Sequence, residues 1–296
     1  EGDVSAKAAM IAALARLGYD VSEYFSRGPL IKEAEAGLAK TKVDYSELFD
    51  VDNLPTLHWA DGETVDPLVV KWWFARSHKL KQPGGDPLLH MAMERLRRSD
   101  AEAIGRSVFT AWIAFDTQRA SAEEADAIAA RDAPQRAASM QRFYKDYTEA
   151  DAYAQIRSEV LNKLAFSAQP HRGLLALTRF MPPVEMARIG RRYLKDFGKR
   201  SNQARSILEA MAANPEPAVI QALLDVSKRH RQPGGRRLAG ELVDRIAEDK
   251  EWTREELADR VVPTAGVDET GRLDLSFGER AYFAQLVPDK KADLAL

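Results

Sequence analysis

The sequence predicts an all-α fold, a helical repeat solenoid followed by a short C-terminal β-hairpin. Three observations lead to this prediction: an internal repeat displaced by 150 positions, a series of helix start and stop signals, and alternation with period two near the C-terminus. The 296 residues exceed the size at which one compact core usually stops growing. Either two domains or an elongated array is therefore expected, and the internal repeat favours the array.

The internal repeat relates residues 67–93 to residues 217–243. Both segments contain Gln-Pro-Gly-Gly, at residues 82–85 and 232–235. Further matches are Pro67 with Pro217, Val69 with Val219, Val70 with Ile220, Lys79 with Arg229, Lys81 with Arg231 and Leu88 with Leu238. The offset is close to four units of about 40 residues, the period of HEAT and armadillo helical arrays. We therefore predict a HEAT/armadillo-like solenoid in which each copy forms helix, break and helix, with Pro-Gly-Gly in the connection.

Helix start signals recur along the chain. Asp66 and Asp86 each precede a proline, which places a side-chain acceptor at the N-cap and a proline at the first helical position. Ser99, Ser121 and Thr253 are each followed three residues later by Glu, which is the spacing of a capping box. These signals predict helices that begin at or just after each of these residues.

Helix stop signals lie between these starts. Gly18 and Gly198 follow periodic apolar runs and are predicted to be left-handed C-terminal caps. Both Gln-Pro-Gly-Gly segments are expected to break the helix before it restarts. The predicted helices span residues 4–17, 29–41, 67–80, 87–98, 100–116, 122–131, 135–147, 150–167, 171–181, 184–197, 201–213, 216–230, 236–250 and 254–260.

The predicted helix at residues 67–80 is apolar over a wider arc than a surface helix. Val69, Trp72, Trp73 and Leu80 gather on one side of it. We predict that this helix is sandwiched between neighbours and that Trp73 belongs to the core. The alternative is an exposed aromatic platform that stacks nucleobases, but adjacent large apolar residues are usually core.

Two regions depart from the helical pattern. Residues 57–65 are compatible with a small hairpin around a turn that contains Asp-Gly. After Pro263 the pattern changes to period two, with apolar residues alternating over 273–277, a Gly-Glu turn at 278–279 and a returning strand over 282–286. The predicted domains are an N-terminal helical segment at 1–53, a HEAT-like array at 54–262 and a β-hairpin tail at 263–296.

Composition limits the classes of function. The chain is 45% hydrophobic and 30% charged, which is typical of a folded protein. It contains no cysteine, which excludes disulfides and thiolate metal sites. The apolar run at residues 8–15 is far shorter than the roughly 20 residues that span a bilayer. We therefore predict a cytoplasmic protein without a membrane partner.

Motifs for catalysis and cofactor binding are absent from the sequence. It has no Gly-x-Gly-x-x-Gly, Walker loop, Gly-x-Ser-x-Gly or His-Glu-x-x-His. The five histidines, at positions 58, 78, 90, 171 and 230, do not have the spacing of metal ligands. We predict no catalytic residue, no cofactor, no metal and no enzymatic activity.

The clearest functional signal is a cationic ridge on the helix at residues 184–197. Arg188, Arg192, Lys195 and Lys199 recur at spacings that place them on one face of it, and apolar residues fill the opposite face. Residues 188–237 contain twelve Lys and Arg but only four Asp and Glu, although the whole chain carries a net charge of -2. Phosphates or acidic protein surfaces respond to such a local excess of positive charge.

Eight of these cations are candidate contacts for phosphate or for an acidic partner. An alternative interpretation is a solvated outer face whose charges pair with acidic residues near 248–259. The candidates are Arg188, Arg191, Arg192, Lys195, Lys199, Arg229, Arg231 and Arg236.

Eight segments carry a resemblance to a known family: residues 54–57, 61–62, 108–112, 172–177, 191–196, 252–260, 262–266 and 273–278. They resemble the helical region of large bacterial proteins of the molybdate-metabolism-regulator-like (MolR-like) family. The resemblance covers about residues 54–287 and is poor at 1–50 and 118–170. It implies a HEAT-like array ahead of a domain of unknown function that often accompanies a WGR domain, and it implies no established reaction.

Two functions are consistent with these observations. The first is a non-enzymatic interaction or scaffold module of a larger bacterial protein, whose partner is a protein or another domain of the parent chain. The alternative is a HEAT-like array that binds nucleic acid, with DNA phosphates held by the basic helix face. The dependence of binding on salt distinguishes the two.

Overall fold

The structure is a computed structural model. It describes residues 10–11, 13–41, 48–49, 56–261, 272–277, 280–285, 287–288 and 294–295. Most of these residues are helical, as predicted. Two 3-10 helices lie at Ser22–Phe25 and Gln169–Thr178. Helices α1 to α11 are, in chain order, Arg27–Ala39, Pro67–Leu80, Pro87–Met93, Arg98–Thr117, Ala122–Met140, Glu149–Asn162, Pro183–Phe197, Ser201–Ala212, Pro217–Arg229, Pro233–Asp249 and Arg254–Arg260.

Side-chain caps set several helix starts. The Asp66 carboxylate accepts a hydrogen bond from the Leu68 amide, and Asp86 accepts from the amides of Leu88 and Leu89. Both caps confirm the prediction from Asp-Pro. The capping boxes predicted for α5 and α11 are also present. A further capping box, between Thr148 and Asp151, starts α6.

Two predicted caps are wrong. Ser99 lies inside α4, whose N-cap is Arg97, and its hydroxyl donates to the neighbouring Asp100. Gly198 has a φ of -61°, so it is not a left-handed cap. A Cβ at Gly198 would collide with the Leu194 carbonyl and the His230 ring, so close packing is what favours glycine there. Gly18 does have the predicted positive φ.

The helices predicted at 122–131 and 135–147 are one continuous helix, α5, which contains Pro134 and ends at Met140, seven residues earlier than predicted. An internal proline costs about 3 kcal/mol or more. The buried alanines Ala129, Ala133 and Ala137 continue across the proline and pack against α6. This shared stripe explains why the helix is not interrupted.

The segment predicted as a helix at 171–181 is the 3-10 helix Gln169–Thr178. It packs against α2, α4 and α8. At Gly173 the approach to α2 is so close that a Cβ would collide with the Ser77 carbonyl. The 3-10 helix, which is wound more tightly than an α-helix, occurs where the backbone packs closely against α2. The periodicity of apolar residues in the sequence does not show this contact.

Most of the buried apolar residues belong to two large clusters, which form the core of the main body. The first contains residues of α1, α2 and α3, and the second contains residues of α7 to α11. Trp73 is 2% exposed and packs edge-to-face on Trp59 with ring centroids 6.0 Å apart. Trp72 and Phe74 are buried as well. Trp73 is thus a core residue as predicted, and the aromatic platform on α2 is excluded.

The two copies of the internal repeat differ in structure. In the first copy, residues 81–86 connect α2 to α3, and Gly85 has a φ of +78°. In the second copy, Pro233 is the first residue of α10, so the glycines lie within its first turn. The expectation of Pro-Gly-Gly in both connections is therefore wrong for the second copy. Helix α9 packs extensively on α10, whereas α2 packs mainly on α1 and the second 3-10 helix.

Strand pairing is limited to short segments. His58 bridges Thr64 in a small hairpin that turns at Gly62. Strand β1 (Arg272–Phe277) pairs antiparallel with β2 (Arg280–Gln285), in the region where the sequence alternates with period two. A second pair joins β3 (Val287–Pro288) and β4 (Leu294–Ala295).

Some sequence predictions fall outside the described residues. This group contains the turn at 278–279, the predicted domain boundaries near 53 and 263, and half of the helix expected at 4–17. Residues 10, 11 and 13–16 of that helix are described and are helical. Among the described residues, no helix is long and apolar enough to cross a membrane.

Candidate functional site

Helix α7 has one buried face and one cationic face. Met186, Gly190 and Tyr193 are buried, whereas Arg188 and Lys195 are exposed. A Cβ at Gly190 would lie 2.5 Å from the Met211 sulfur, so glycine allows α7 to pack closely on α8. The cationic face predicted from the sequence is therefore held outward by a tightly packed apolar face.

A groove of about 570 Å³ lies where the C-terminal ends of α7 and α9 approach each other. We call this the basic groove. Its floor includes Leu194 and Val226, which also belong to the second apolar cluster. Two carboxylates, Asp196 and Asp225, lie along it. Five of the eight candidate cations line it: Arg191, Lys195, Lys199, Arg229 and Arg231.

Four of these five cations have no carboxylate partner in the part of the chain that the structure describes. They are Lys195, Lys199, Arg229 and Arg231, and all are exposed. The fifth, Arg191, lies 3.5 Å from Asp225. The groove thus carries an excess of positive charge that folding does not neutralise.

The other three candidates lie outside the lining of the groove. Arg188 and Arg192 are exposed on α7, and Arg192 makes a long contact of 3.8 Å with Asp196. Arg236 donates to the His230 carbonyl oxygen at 2.9 Å. Within the described residues, no acid from 248–259 pairs with any of the eight candidates.

His230 connects the basic groove to a second groove along α8 and α10. Its ring packs against Gly198 and Gly235, and its Nε2 atom is buried without a hydrogen-bond partner in the described part of the chain. Burial, and then the nearby Arg236, lower the pKa of His230. The ring is therefore neutral at pH 7 and acts as a packing element. Sequence spacing gave no signal for this role, because the contacts join distant parts of the chain.

A buried polar network fixes the C-terminal end of α7. The Asp116 carboxylate is fully buried and accepts hydrogen bonds from the Tyr193 hydroxyl at 2.6 Å, the Arg200 guanidinium at 2.9 Å and the Ala168 amide at 2.8 Å. Burial, and then the hydrogen bond to Asp116, raise the pKa of Tyr193. Arg200 is one of the twelve Lys and Arg residues counted over 188–237, and it stabilises the fold by pairing with Asp116.

Among the described residues, no group of three or more His, Asp or Glu side chains is arranged to hold a metal ion. Two histidines do meet, with His78 Nε2 3.0 Å from His171 Nδ1. Burial, and then the neighbouring His171, lower the pKa of His78.

Comparison with known proteins gives one partial match and no function. A protein of Escherichia coli (strain K12), named Uncharacterized protein YehI, is 39% identical over 69 residues. These residues are 23% of this chain and 6% of that protein, so the chain spans a small part of its relative. No protein-family model matches, and no solved structure matches. The resemblance to the MolR-like family stays a prediction.

Proposed function

We propose that this chain is a non-enzymatic, HEAT-like helical interaction module. Its basic groove binds an acidic segment with apolar residues, from a protein partner or from another domain of the parent chain. The observation that carries this proposal is the groove itself. Four cations that have no carboxylate partner among the described residues surround a floor that includes Leu194 and Val226. Charged and apolar contacts in one groove match the mixed chemistry of a protein segment.

The energetics favour a multivalent contact. A single exposed ion pair contributes only about 0–1 kcal/mol, so no one cation of the groove can hold a partner. Several cations along one groove add their fields, steer an acidic segment toward it and suppress basic partners. Apolar side chains of the segment then gain by leaving water against the floor. The charges would determine which segments bind, and the apolar contacts would lengthen the residence time of the bound segment.

Nucleic acid is a second candidate for the same groove. Exposed lysines and arginines without carboxylate partners are the residues that hold phosphates, and Lys195, Lys199, Arg229 and Arg231 meet this description. Asp196 and Asp225 repel a phosphate backbone and an acidic segment alike, so they do not separate the two candidates. The apolar floor that includes Leu194 and Val226 favours the protein segment, because a phosphate backbone gains nothing from it.

The test compares binding of two fluorescent probes by anisotropy over a salt series. One probe is a peptide that alternates Glu and Leu, and the other is a DNA duplex. The groove variant carries Lys195→Gln, Lys199→Gln, Arg229→Gln and Arg231→Gln. A charge-matched control replaces four exposed cations elsewhere by Gln, namely Lys79, Arg97, Lys163 and Arg245.

We expect the parent and the control to bind the peptide and the groove variant to lose it. Failure of the parent to bind the peptide contradicts the proposed function. Duplex binding by the parent that weakens steeply with salt supports the second candidate. In that case each phosphate contact removed flattens the slope of log affinity against log salt by about 0.9.

A further inference from the structure

Helices α5 and α6 form a helical hairpin with its own small core. The two helices pack chiefly against each other, through the buried residues Ala129, Ala133, Ala137, Ala152 and Ile156. This cluster is separate from the two clusters of the body. At its base the hairpin is joined to the body by residues 118–121 and 163–168, where the Ala165 amide donates to the Gln118 carbonyl oxygen at 2.8 Å.

The tip of the hairpin, residues 141–147, is far from this base. Helix α5 contains 19 residues, and at 1.5 Å per residue it is about 28 Å long. The tip is also ordered by hydrogen bonds. The Phe143 amide donates to the Met140 carbonyl oxygen at 2.9 Å, and the Gln141 side-chain amide donates to the Tyr147 carbonyl oxygen at 3.0 Å. It is a fixed turn at the end of a long arm.

This turn exposes two large rings between two cations. Phe143 is 80% exposed and Tyr144 is 63% exposed. Neither ring contacts another ring or a cation in the described part of the chain, so their faces are uncovered. Arg142 and Lys145 flank them, are exposed and make no ion pair with a described residue. No hydrogen bond, ion pair or ring contact with another described residue involves these four side chains.

We propose that residues 142–145 form a binding site for single-stranded nucleic acid. Bases stack on Phe143 and Tyr144, while Arg142 and Lys145 hold the phosphates on either side. Stacking on aromatic side chains requires unpaired bases and tolerates any sequence, because every base presents a π-face. The cations supply the complementary charge for the backbone. This surface is distinct from the basic groove and does not depend on what the groove binds.

The chemistry of the tip favours this partner over a membrane. Membrane-surface binding relies on a continuous apolar face several residues long. The tip offers two rings, and the cations Arg142 and Lys145 directly adjoin them in the sequence. Insertion of the rings would carry these charges toward the acyl chains, whereas stacking leaves them in water beside the phosphates.

The test measures binding of a fluorescent oligothymidine of about 20 nucleotides by anisotropy at low salt. All chains carry the four groove substitutions to Gln, so that the basic groove contributes nothing. The ring-free variant adds Phe143→Ala and Tyr144→Ala. A ring-conserving control adds Phe143→Trp and Tyr144→Trp. A duplex of the same length and phosphatidylserine vesicles are tested in parallel, and circular dichroism checks that every variant is folded.

We expect the groove-substituted chain to bind the oligothymidine more tightly than the duplex. Loss of both rings should weaken binding about tenfold or more, and the tryptophan variant should retain it. No binding of the oligothymidine, equal binding of the duplex, or a ring-free variant that binds as well as its parent would each overturn the proposal. So would binding to vesicles alone. The acidic peptide is not used, so failure here is distinguishable from failure of the proposed function.

Discussion

The two copies of the internal repeat differ in where their charged side chains lie: the first copy buries an ion pair, and the second exposes a cation. In the first copy, Arg76 is 5% exposed and donates to the Asp86 carboxylate through Nε and Nη2, both at 3.1 Å. In the second copy, Val226 aligns with Arg76 and Arg236 aligns with Asp86. The internal ion pair is replaced by an apolar residue in the floor of the basic groove and by an exposed cation.

The same replacement changes where the helix starts. Asp86 caps α3 and Pro87 follows it, so the preceding Gln-Pro-Gly-Gly stays in the connection. The second copy has Arg236 and Arg237 at these positions, with neither cap nor proline. Helix α10 therefore begins at Pro233 and absorbs the two glycines. The Gln-Pro-Gly-Gly motif therefore lies in the connection between α2 and α3 in the first copy. In the second copy, its Pro-Gly-Gly belongs to the first turn of α10.

A histidine occupies the space beside the last glycine of the motif in both copies. A Cβ at Gly85 would collide with His90, and a Cβ at Gly235 would lie 2.5 Å from the His230 ring. The two histidines do not align with each other in the repeat. Both copies therefore require glycine at this position. His90, which follows the motif, imposes this in the first copy, and His230, which precedes the motif, imposes it in the second.

The largest expected difference between the copies is in the response to removal of the first-copy acid. Asp86→Ala removes the cap of α3 and leaves Arg76 buried without this carboxylate. Removal of one partner of a buried ion pair costs about 3–5 kcal/mol. Urea unfolding should show this loss, whereas Arg236→Ala should change the midpoint little, because it removes only an exposed hydrogen bond to the His230 carbonyl oxygen. Equal midpoints for the two variants would contradict the comparison.

The second prediction concerns a position where the copies agree. Trp73 aligns with Leu223, and both are core residues, 2% and 0% exposed. Trp73→Ala should lower the free energy of unfolding by about 3–5 kcal/mol and Leu223→Ala by about 2–5 kcal/mol. Calorimetry or urea unfolding measures both. A Trp73 variant that unfolds like the parent would show that this copy is not packed as described.

The smallest expected effects separate the glycines. Gly85→Ala forces alanine into a positive φ against His90 and should cost about 1–3 kcal/mol. Gly235→Ala should destabilise the protein less, because its φ is not positive and only the His230 ring must move. Gly234 lies in the first turn of α10 with open space around its Cβ position. Gly234→Ala should therefore stabilise by about 0.4–1 kcal/mol, measured by thermal unfolding.

Local signals predicted much of the fold. Helix α2 has the predicted limits because its caps are local: Asp66-Pro67 starts it, and Lys81 ends it in a left-handed conformation. The continuity of α5 through Pro134 could not be predicted, because packing against α6 decides it. Likewise, the 3-10 winding near Gly173 depends on contact with α2.

The candidate site was predictable in part. The spacing of Arg188, Arg192, Lys195 and Lys199 predicted one cationic face. All four are exposed, but Lys199 lies in the turn after α7, and only Lys195 and Lys199 line the groove. The sequence did not show which cations meet across the groove, since that depends on how α7 and α9 pack. Nor did it show that Arg200 is held by the buried Asp116. Charge counts along a chain do not separate paired cations from unpaired ones.

We propose that the groove cations bind a ligand and do not stabilise the fold. This claim can be tested by thermal unfolding of the parent and the groove variant, each with and without saturating Glu-Leu peptide. Without peptide, the two proteins should melt together, because these side chains pair with no carboxylate in the described part of the chain. With peptide, only the parent should gain stability, by about 2.7 kcal/mol at one hundred times the Kd. A groove variant that melts earlier by itself, or that gains as much from the peptide as the parent, would contradict the claim.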